Sequence, residues 1–264
     1  MNRQWILRRG NQRHLWVDTM ISKRSATRVF LKRALVPFRQ VSRFVQSRLS
    51  ERTTYLRNCK GLIHVGANAG QERQYYARLG LSVLWVEPIP SVFAALASNI
   101  VGYPKQRALE ALLTSQDDEK VDLQISSNGG KSSSILKATE HYEVWPDIEF
   151  KDTITLNGVT LPTVLVRNKI NIQDYDALLL DTQGAELLIL QGASKILSHF
   201  SYIQAEAANF AAYENCPQIE DIIKFVEQHG FTVDPASMAG SDNGERSHYD
   251  LLFRNNQLRG ANAT

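Results

Sequence analysis

The stretch LIHVGANAGQE, residues 62–72, decides how this chain folds. A short apolar run stops at Gly66, passes through the small residues Ala67 to Ala69, and enters a predicted helix after Gly70. Such a turn carries almost no side-chain bulk, so a ligand can lie against its backbone while the N–H groups of the next helix face it. We therefore predict a turn that binds a nucleotide-like cofactor. A turn of this kind can also serve only to pack a strand tightly against a helix.

The stretch WVEPIP, residues 85–90, supplies the second half of this prediction. It places Glu87 at the end of the next strand, 17 residues after Gly70, where an acid can accept both hydroxyl groups of a ribose. The turn lacks the Gly-x-Gly-x-x-Gly pattern that cradles a pyrophosphate. Turn and acid together favour a nucleoside cofactor without a phosphate chain, and S-adenosylmethionine meets that description.

Apolar strands alternate with helices along the rest of the chain. The hydrophobic pattern predicts strands at 61–65, 82–86, 176–181, 202–207 and 248–254, and helices at 71–79, 91–100, 185–197 and 218–230. This alternation indicates an α/β fold with a parallel sheet covered on both faces, which binds ligands at the carboxyl ends of its strands. We assign residues 1–58 to an N-terminal arm, 59–258 to the main domain and 259–264 to a C-terminal tail.

The arm and the main domain carry opposite charge. Residues 1–60 hold 15 Lys and Arg against two acids, whereas the remainder holds 15 against 25. Between Phe30 and Leu49, apolar residues recur every three or four positions with basic residues between them, which predicts amphipathic helices split at Pro37. We expect residues 29–49 to contact an anionic membrane surface, or the arm to pack on its own domain. A solvated leader and a chain start at Met20 are the alternatives.

Cysteine content and hydropathy bear on the compartment. Cys59 and Cys216 are too few for a disulfide framework and lack the spacing of a metal site, which fits a reducing cytoplasm. No apolar run approaches the roughly 18 residues that a membrane span needs. We therefore expect a cytoplasmic protein, soluble or peripheral to a membrane, without a metal ion and without a nucleic-acid partner.

The chain resembles the FkbM-type S-adenosylmethionine-dependent methyltransferases in collinear blocks between Gly61 and Arg254. The blocks are HVGANAGQE (64–72), VEPIP (86–90), SSNGGKSSSIL (126–136), LLLDTQGAELLILQGA (178–193) and HYDLLF (248–253). The resemblance implies a Rossmann-like methyltransferase fold that follows the basic helical arm, with a seven-stranded, mostly parallel sheet and helices on both faces. It also implies O-methylation of a hydroxyl group, often on sugars or sugar-containing natural products.

The same resemblance implies which residues hold S-adenosylmethionine. His64 stands where many members of the family have an acid that helps to position the cofactor. The full set of implied cofactor contacts is His64, Gly66, Ala67, Asn68, Gly70, Gln71, Glu87, Pro88 and Asp181.

Two acids follow neighbouring predicted strands and face the expected cleft. Asp181 ends the fourth parallel strand and Glu206 lies at the mouth of the fifth. Asp181 is our first choice for the group that orients or deprotonates the acceptor hydroxyl, with Glu206 as its helper. Asp181 could instead cap the next helix, and Glu206 could pair with a buried Arg or Lys. His141 and His248 are further candidate bases.

Two segments are the predicted contacts of a small-molecule or glycan acceptor. The loop at 126–136 offers the hydrogen-bonding side chains of Asn128, Ser132, Ser133 and Ser134, unless it is only a turn. The stretch HYEVWP, residues 141–146, offers Tyr142 and Trp145, whose flat apolar rings can pack against the acceptor.

Two other functions remain open. The first is a dehydrogenase that uses NAD, which is disfavoured by the missing third glycine and the lack of a Tyr-x-x-x-Lys pair. The second is a catalytically silent cofactor-binding protein.

Overall fold

The structure, a computed structural model, describes residues 53–238 and 247–257. Its strands are β1 Gly61–Val65, β2 Ser82–Glu87, β3 Gln106–Glu110, β4 Leu112–Leu113, β5 Lys120–Ser126, β6 Phe150–Val159, β7 Ala177–Leu180, β8 Tyr202–Ala208, β9 Phe231–Val233 and β10 His248–Asn255. Its α-helices are α1 Arg73–Arg78, α2 Pro90–Ile100, α3 His141–Val144, α4 Leu161–Arg167, α5 Glu186–Gly192 and α6 Ile219–Gln228.

Seven strands form the main sheet in the order β3-β2-β1-β7-β8-β10-β9. The pairs among β3, β2, β1, β7 and β8 are parallel, whereas β10 runs antiparallel to both β8 and β9. The predicted seven-stranded, mostly parallel sheet is therefore confirmed. Its register places Val65, Leu180 and Ala205 side by side, so the loops that follow β1 and β7 and the last residues of β8 meet at one edge.

A second sheet of three strands, in the order β4-β6-β5, was not predicted. Most of β6 is exposed or half-buried, so its polar and apolar residues do not form the continuous apolar run by which a central strand is recognised.

The predicted single helix at 185–197 is also wrong. α5 ends at Gly192, and a 3-10 helix covers Ser194–His199. Gly192 lies so close to the backbone of Thr114 that a Cβ there would be 2.3 Å from its carbonyl oxygen.

Hydrophobic cores cover both faces of the main sheet. Ile63 and Val65 of β1 contact one core, which includes residues of α4, α5 and α6. Leu62 faces the other core, which includes Tyr76 of α1 and residues of α2. This alternation along one strand is the reason that β1 is buried throughout. Tyr55 and Leu56, which the sequence analysis assigns to the arm, are buried in the second core.

A third, smaller core lies within residues 134–150 and 208–217, which we call the cap. Its buried members are Ala138, Phe210, Ala212 and Tyr213. Backbone hydrogen bonds join its two segments, because the amides of Thr139 and Glu140 donate to the carbonyl oxygens of residues 212 and 211. One segment of the cap follows the end of β8, and Ser134 of the other segment donates to the carbonyl oxygen of Gln183 after β7, so the cap lies at the same edge of the main sheet as the predicted site.

Some predictions fall on other parts of the chain. The amphipathic helices and the membrane contact at 29–49, and the tail at 259–264, lie outside the described residues. None of the helices within 53–238 and 247–257 combines the length and the hydropathy that a bilayer-spanning segment needs.

Candidate active site

The turn after β1 is held between its two neighbouring strands. Gly66 has a φ of +78°, and its amide and that of Ala67 donate to the carbonyl oxygen of Val86 over 3.0 and 3.2 Å. A Cβ on Gly66 would lie only 1.8 Å from the carbonyl oxygen of Asp181. Glycine is therefore required here both by the backbone angle and by the close approach of the chain after β7.

Glu87 anchors this turn from the end of β2. Its Oε2 accepts a hydrogen bond of 2.8 Å from the amide of Asn68, and its Oε1 accepts one of 3.0 Å from the amide of Ile89. Burial raises the pKa of Glu87 to about 7, although these two hydrogen bonds act in the opposite direction. Each carboxylate oxygen has a second lone pair, so the group can still accept ribose hydroxyls. The residues therefore fit a nucleoside cofactor.

Asn68 connects the turn to the loop at 126–136. Its φ of +43° is unusual for a residue other than glycine. Its Nδ2 donates to the carbonyl oxygen of Gly129 over 2.9 Å, and its Oδ1 accepts from Nε2 of Gln71 over 2.8 Å. The predicted cofactor turn and the predicted substrate loop are thus in direct contact.

The polar side chains of this loop bond mainly within it. Asn128 accepts from the Ser126 hydroxyl at Oδ1 over 2.7 Å and donates to Oγ of Ser132 over 3.0 Å. Oγ of Ser133 accepts from the amide of Ser126 over 3.0 Å. The hydroxyl of Ser134 donates to the carbonyl oxygen of Gln183 over 2.7 Å. These groups shape the loop and attach it to the segment after β7, a role that the sequence analysis did not assign to them.

Gln183 joins the two acids that the sequence analysis singled out. Its Nε2 donates to Oδ1 of Asp181 over 3.1 Å and to Oε2 of Glu206 over 2.7 Å. Its Oε1 accepts from the hydroxyl of Tyr213, over 3.1 Å, and its own φ is +56°. Sequence reasoning missed Gln183 and Tyr213. The signal for Gln183 was its place between Asp181 and Gly184, where a strand-end acid is followed by a turn.

Carboxyl groups crowd this edge of the sheet. Burial, and then the charges of nearby acids, raise the pKa of Glu206 to about 7, and burial raises that of Glu72 to about 7. Burial and the charge of Glu206 raise the pKa of Asp181 well above its usual range. Asp181 is solvent-exposed, and repulsion from the nearby carboxylate of Glu206 disfavours its ionised form. Glu72, which sequence reasoning also missed, precedes α1.

Glu186 binds the amides before α5. It accepts from the amides of Thr182 and Gly184 over 2.8 and 2.9 Å, while burial raises its pKa to about 7. The carboxylate of Asp181 has Gln183 as its hydrogen-bond donor instead. Asp181 is solvent-exposed at this edge of the sheet.

His64 lies in the second core. Its Nδ1 is 3.2 Å from the hydroxyl of Tyr76, and its ring packs 5.0 Å from that of Trp85. Burial lowers its pKa to about 3, so the ring is neutral. The contacts of His64 thus support the packing of α1 and β2 beneath the cofactor turn.

The two other candidate histidines, His141 of the cap and His248 of β10, contact aromatic rings of the cap. The His141 ring is enclosed by those of Trp145, Phe150 and Tyr213, at 4.8, 5.4 and 5.5 Å between centroids. Within the described part of the chain, neither of its ring nitrogens has a hydrogen-bond partner. Burial lowers its pKa. Trp145 is also 5.3 Å from the ring of His248, and 37% of its surface is exposed. Trp145 therefore packs against both histidines, of which His141 is buried and His248 is partly exposed.

Replacement of Tyr213 with Phe is expected to destabilise the protein by about 1–3 kcal/mol. The change removes the single hydroxyl hydrogen that lies within reach of both Oε1 of Gln183 and the carbonyl oxygen of Ser132, so these two acceptors lose the donor that they share. Urea unfolding measures the loss. Tyr142→Phe is the matched control, because Tyr142 is 44% exposed, and it should change stability little. Equal effects of the two changes would show that the Tyr213 hydroxyl does not hold the site together.

Comparison with known proteins places this site in a family. A family model described as the Methyltransferase FkbM domain matches residues 64–233. Similar solved structures include the magnesium protoporphyrin IX methyltransferase ChlM from Synechocystis PCC 6803 with bound SAM, at 12% identity over 74% of this chain and 69% of that one, with a TM-score of 0.41. Another is the precorrin-6y C5,15-methyltransferase from Geobacter metallireducens GS-15, at 11% identity over 74% and 79%, with a TM-score of 0.40.

A third is the N-terminal domain of EvdMO1 in the presence of SAH and D-fucose, at 10% identity over 79% of this chain and 80% of that one, with a TM-score of 0.42. None of the curated protein sequences compared with the chain matches it. Because the family model covers more than half of the 264 residues, the chain belongs to the FkbM methyltransferase family.

Proposed function

We propose that this methyltransferase uses S-adenosylmethionine to methylate a hydroxyl group of a sugar or a sugar-containing natural product. The cofactor assignment rests on the position of Glu87. Its carboxylate accepts hydrogen bonds from the turn after β1 and from Ile89, and it has further lone pairs that can accept from ribose hydroxyls. When it is bound, S-adenosylmethionine supplies an electrophilic methyl group. The backbone of Gly66 to Gly70 and the side chain of Glu87 would hold its nucleoside part.

The acceptor side of the proposal rests on the groups beyond Asp181. Glu206 and His248 bring polar groups to this part of the edge, and the partly exposed rings of Tyr142 and Trp145 lie on the neighbouring cap. A sugar offers both hydroxyl groups for the polar side and an apolar ring face for the aromatic side. Removal of a hydroxyl proton by a positioned base is typically worth roughly 10²- to 10⁴-fold in rate.

Titration calorimetry tests the cofactor. We expect S-adenosylmethionine and S-adenosylhomocysteine to bind, because both carry the ribose that Glu87 would accept, and we expect NAD not to bind, because the turn lacks a third glycine for its pyrophosphate. Tighter binding of NAD than of S-adenosylmethionine would overturn the assignment and favour the oxidoreductase alternative.

The kind of bond formed tests the acceptor. Isotope-labelled S-adenosylmethionine is incubated with the protein and a panel of free sugars and glycosides, and labelled products are treated with alkali. A methyl ether survives this treatment, whereas a methyl ester is hydrolysed. We expect alkali-stable label in a sugar. Label found only in alkali-labile products, or on nitrogen, would contradict hydroxyl methylation and leave the cofactor assignment standing.

A further inference from the structure

His248 begins β10 close to Glu206 of β8. The antiparallel register places Asp250 opposite Glu206 and His248 opposite Ala208, so the side chains of His248 and Glu206 share one face of the sheet. Nδ1 of His248 lies 3.6 Å from Oε1 of Glu206, which is an ion-pair distance rather than a hydrogen bond. Nε2 is buried and has no hydrogen-bond partner among residues 53–238 and 247–257.

We infer that Nε2 of His248 accepts the proton of the acceptor hydroxyl, and that Glu206 is the positioning residue that fixes the histidine tautomer for this task. The inference rests on the proposed function and names the base within it. A carboxylate beside Nδ1 favours the tautomer that carries its hydrogen there, which leaves the lone pair on Nε2. The same carboxylate then stabilises the imidazolium ion.

The proton and electron balance is complete with a methyl sulfonium donor as co-substrate. The acceptor oxygen forms a bond to the methyl carbon as the carbon–sulfur bond breaks, and the electron pair of that bond stays on sulfur. The hydroxyl proton moves to Nε2 of His248 and later leaves to solvent.

Asp181 suits this role less well, although it is the first choice from sequence. Gln183 holds its carboxyl group beside that of Glu206, and two adjacent carboxylates resist ionising together. Burial and the charge of Glu206 raise the pKa of Asp181 well above its ordinary range, which disfavours the ionised form that a base needs. A protonated Asp181 can orient a hydroxyl by donating a hydrogen bond but cannot take its proton. The hydrogen bond of 2.7 Å that Glu206 accepts from Gln183 favours its ionised form beside His248.

Two aromatic rings pack against His248, whose side chain is 23% exposed. The rings of Trp145 and Phe210 contact it edge-on, at 5.3 and 5.4 Å between centroids. A cavity beside it is lined by Gln183, Glu206 and Tyr213, among others. Burial lowers the pKa of His248, whereas the charges of the nearby acids, Asp181, Glu186 and Asp250, act in the opposite direction.

The tautomer of His248 can be measured without an acceptor or a cofactor. Long-range proton–nitrogen NMR spectra of the ¹⁵N-labelled protein distinguish the two neutral tautomers, and His248→Gln identifies the His248 signals. Two other histidines serve as internal standards. His229 contacts a carbonyl oxygen through Nδ1 at 2.8 Å, and His199 contacts two through Nε2 at 2.9 Å. We expect His248 to match His229. A match with His199 would overturn the inference.

Glu206→Gln tests whether the carboxylate sets this tautomer. Gln183 already donates to position 206, so the new amide must keep its oxygen toward Gln183 and turn its NH₂ group toward His248. Nδ1 then becomes an acceptor, and we expect His248 to change to the Nε2–H form. A tautomer that does not change would overturn the role of Glu206. Neither result depends on methyl-donor binding, so failure here is distinct from failure of the proposed function.

Turnover of an acceptor identified in the sugar panel tests proton removal itself. His248→Gln should lower kcat by roughly 10²- to 10⁴-fold and abolish the acid limb of the pH–rate profile. The affinity for S-adenosylhomocysteine, measured by calorimetry, reports whether the variant retains the cofactor site. At saturating S-adenosylmethionine, which removes the effect of Glu87 on cofactor affinity, a kcat within a few-fold of the wild-type value, or an acid limb that persists, would overturn the assignment of His248 as the base.

Discussion

Glu87→Ala is expected to weaken S-adenosylmethionine binding by roughly 10- to 150-fold, which corresponds to about 1.5–3 kcal/mol. The change removes the acceptor for two ribose hydroxyls. It also leaves the amides of Asn68 and Ile89 without the carboxylate that they bond over 2.8 and 3.0 Å. Both losses act on the same turn, because Asn68 lies within it.

Glu110→Ala is the matched control for this change. Glu110 pairs in register with Glu87 at the end of the neighbouring strand β3, but it is exposed. Its removal changes the net charge by the same amount without touching the turn. Calorimetry should show near-wild-type affinity for Glu110→Ala and a large loss for Glu87→Ala. A wild-type affinity of the Glu87 variant for S-adenosylmethionine would overturn the assignment of Glu87 to the ribose site.

The protonation of Glu87 adds a pH dependence to the same pair of variants. Its folded-state pKa is raised from 4.5 to about 7, chiefly by burial, so its contribution to stability is present below pH 4.5 and is lost as pH rises through about 7. Ribose hydroxyls donate to the ionised form. We therefore expect cofactor affinity to increase as pH rises through about 7, and this increase should be smaller in Glu87→Ala than in Glu110→Ala.

The main sheet was predictable because its central strands are buried on both faces. β1, β7 and most of β8 read as apolar runs, and an apolar run that stops at a glycine or an acid marks where a strand ends. β3 and β6 are mixed in burial and in polarity, so neither pattern stands out from the surrounding loops. Strand ends such as Glu87 could therefore be placed from sequence, whereas the second sheet could not.

Contacts within the site were less predictable, because they join residues that are distant in sequence. Ser134 and Gln183 are 49 positions apart, and Tyr213 and Ser132 are 81 apart. Sequence patterns show which groups can donate or accept, but the partner depends on how the cap closes over the sheet. Gln183 is the clearest example. It is uncharged and follows a conspicuous acid, yet it is the residue that links Asp181 to Glu206.

Gly66→Ala is expected to lower the free energy of unfolding by about 2–5 kcal/mol. A side chain at its φ of +78° costs about 1–2 kcal/mol. The new Cβ would also lie 1.8 Å from the carbonyl oxygen of Asp181. That oxygen belongs to the backbone and cannot rotate away as a side chain could, so β1 and the segment after β7 must separate. Overpacking of this kind costs about 1–3 kcal/mol more.

Gly80→Ala separates the two causes. Gly80 has a similar φ of +74°, but a Cβ there would meet nothing within 4 Å. This variant should therefore lose only the about 1–2 kcal/mol that the backbone angle costs, measured by urea unfolding. Gly66→Ala should lose more stability than Gly80→Ala, and it alone should also weaken S-adenosylmethionine binding, because its clash displaces the turn that would hold the cofactor. Equal losses of stability in the two variants would mean that the backbone after β7 can move away from the new Cβ. The close contact at Gly66 would then not fix the geometry of the site.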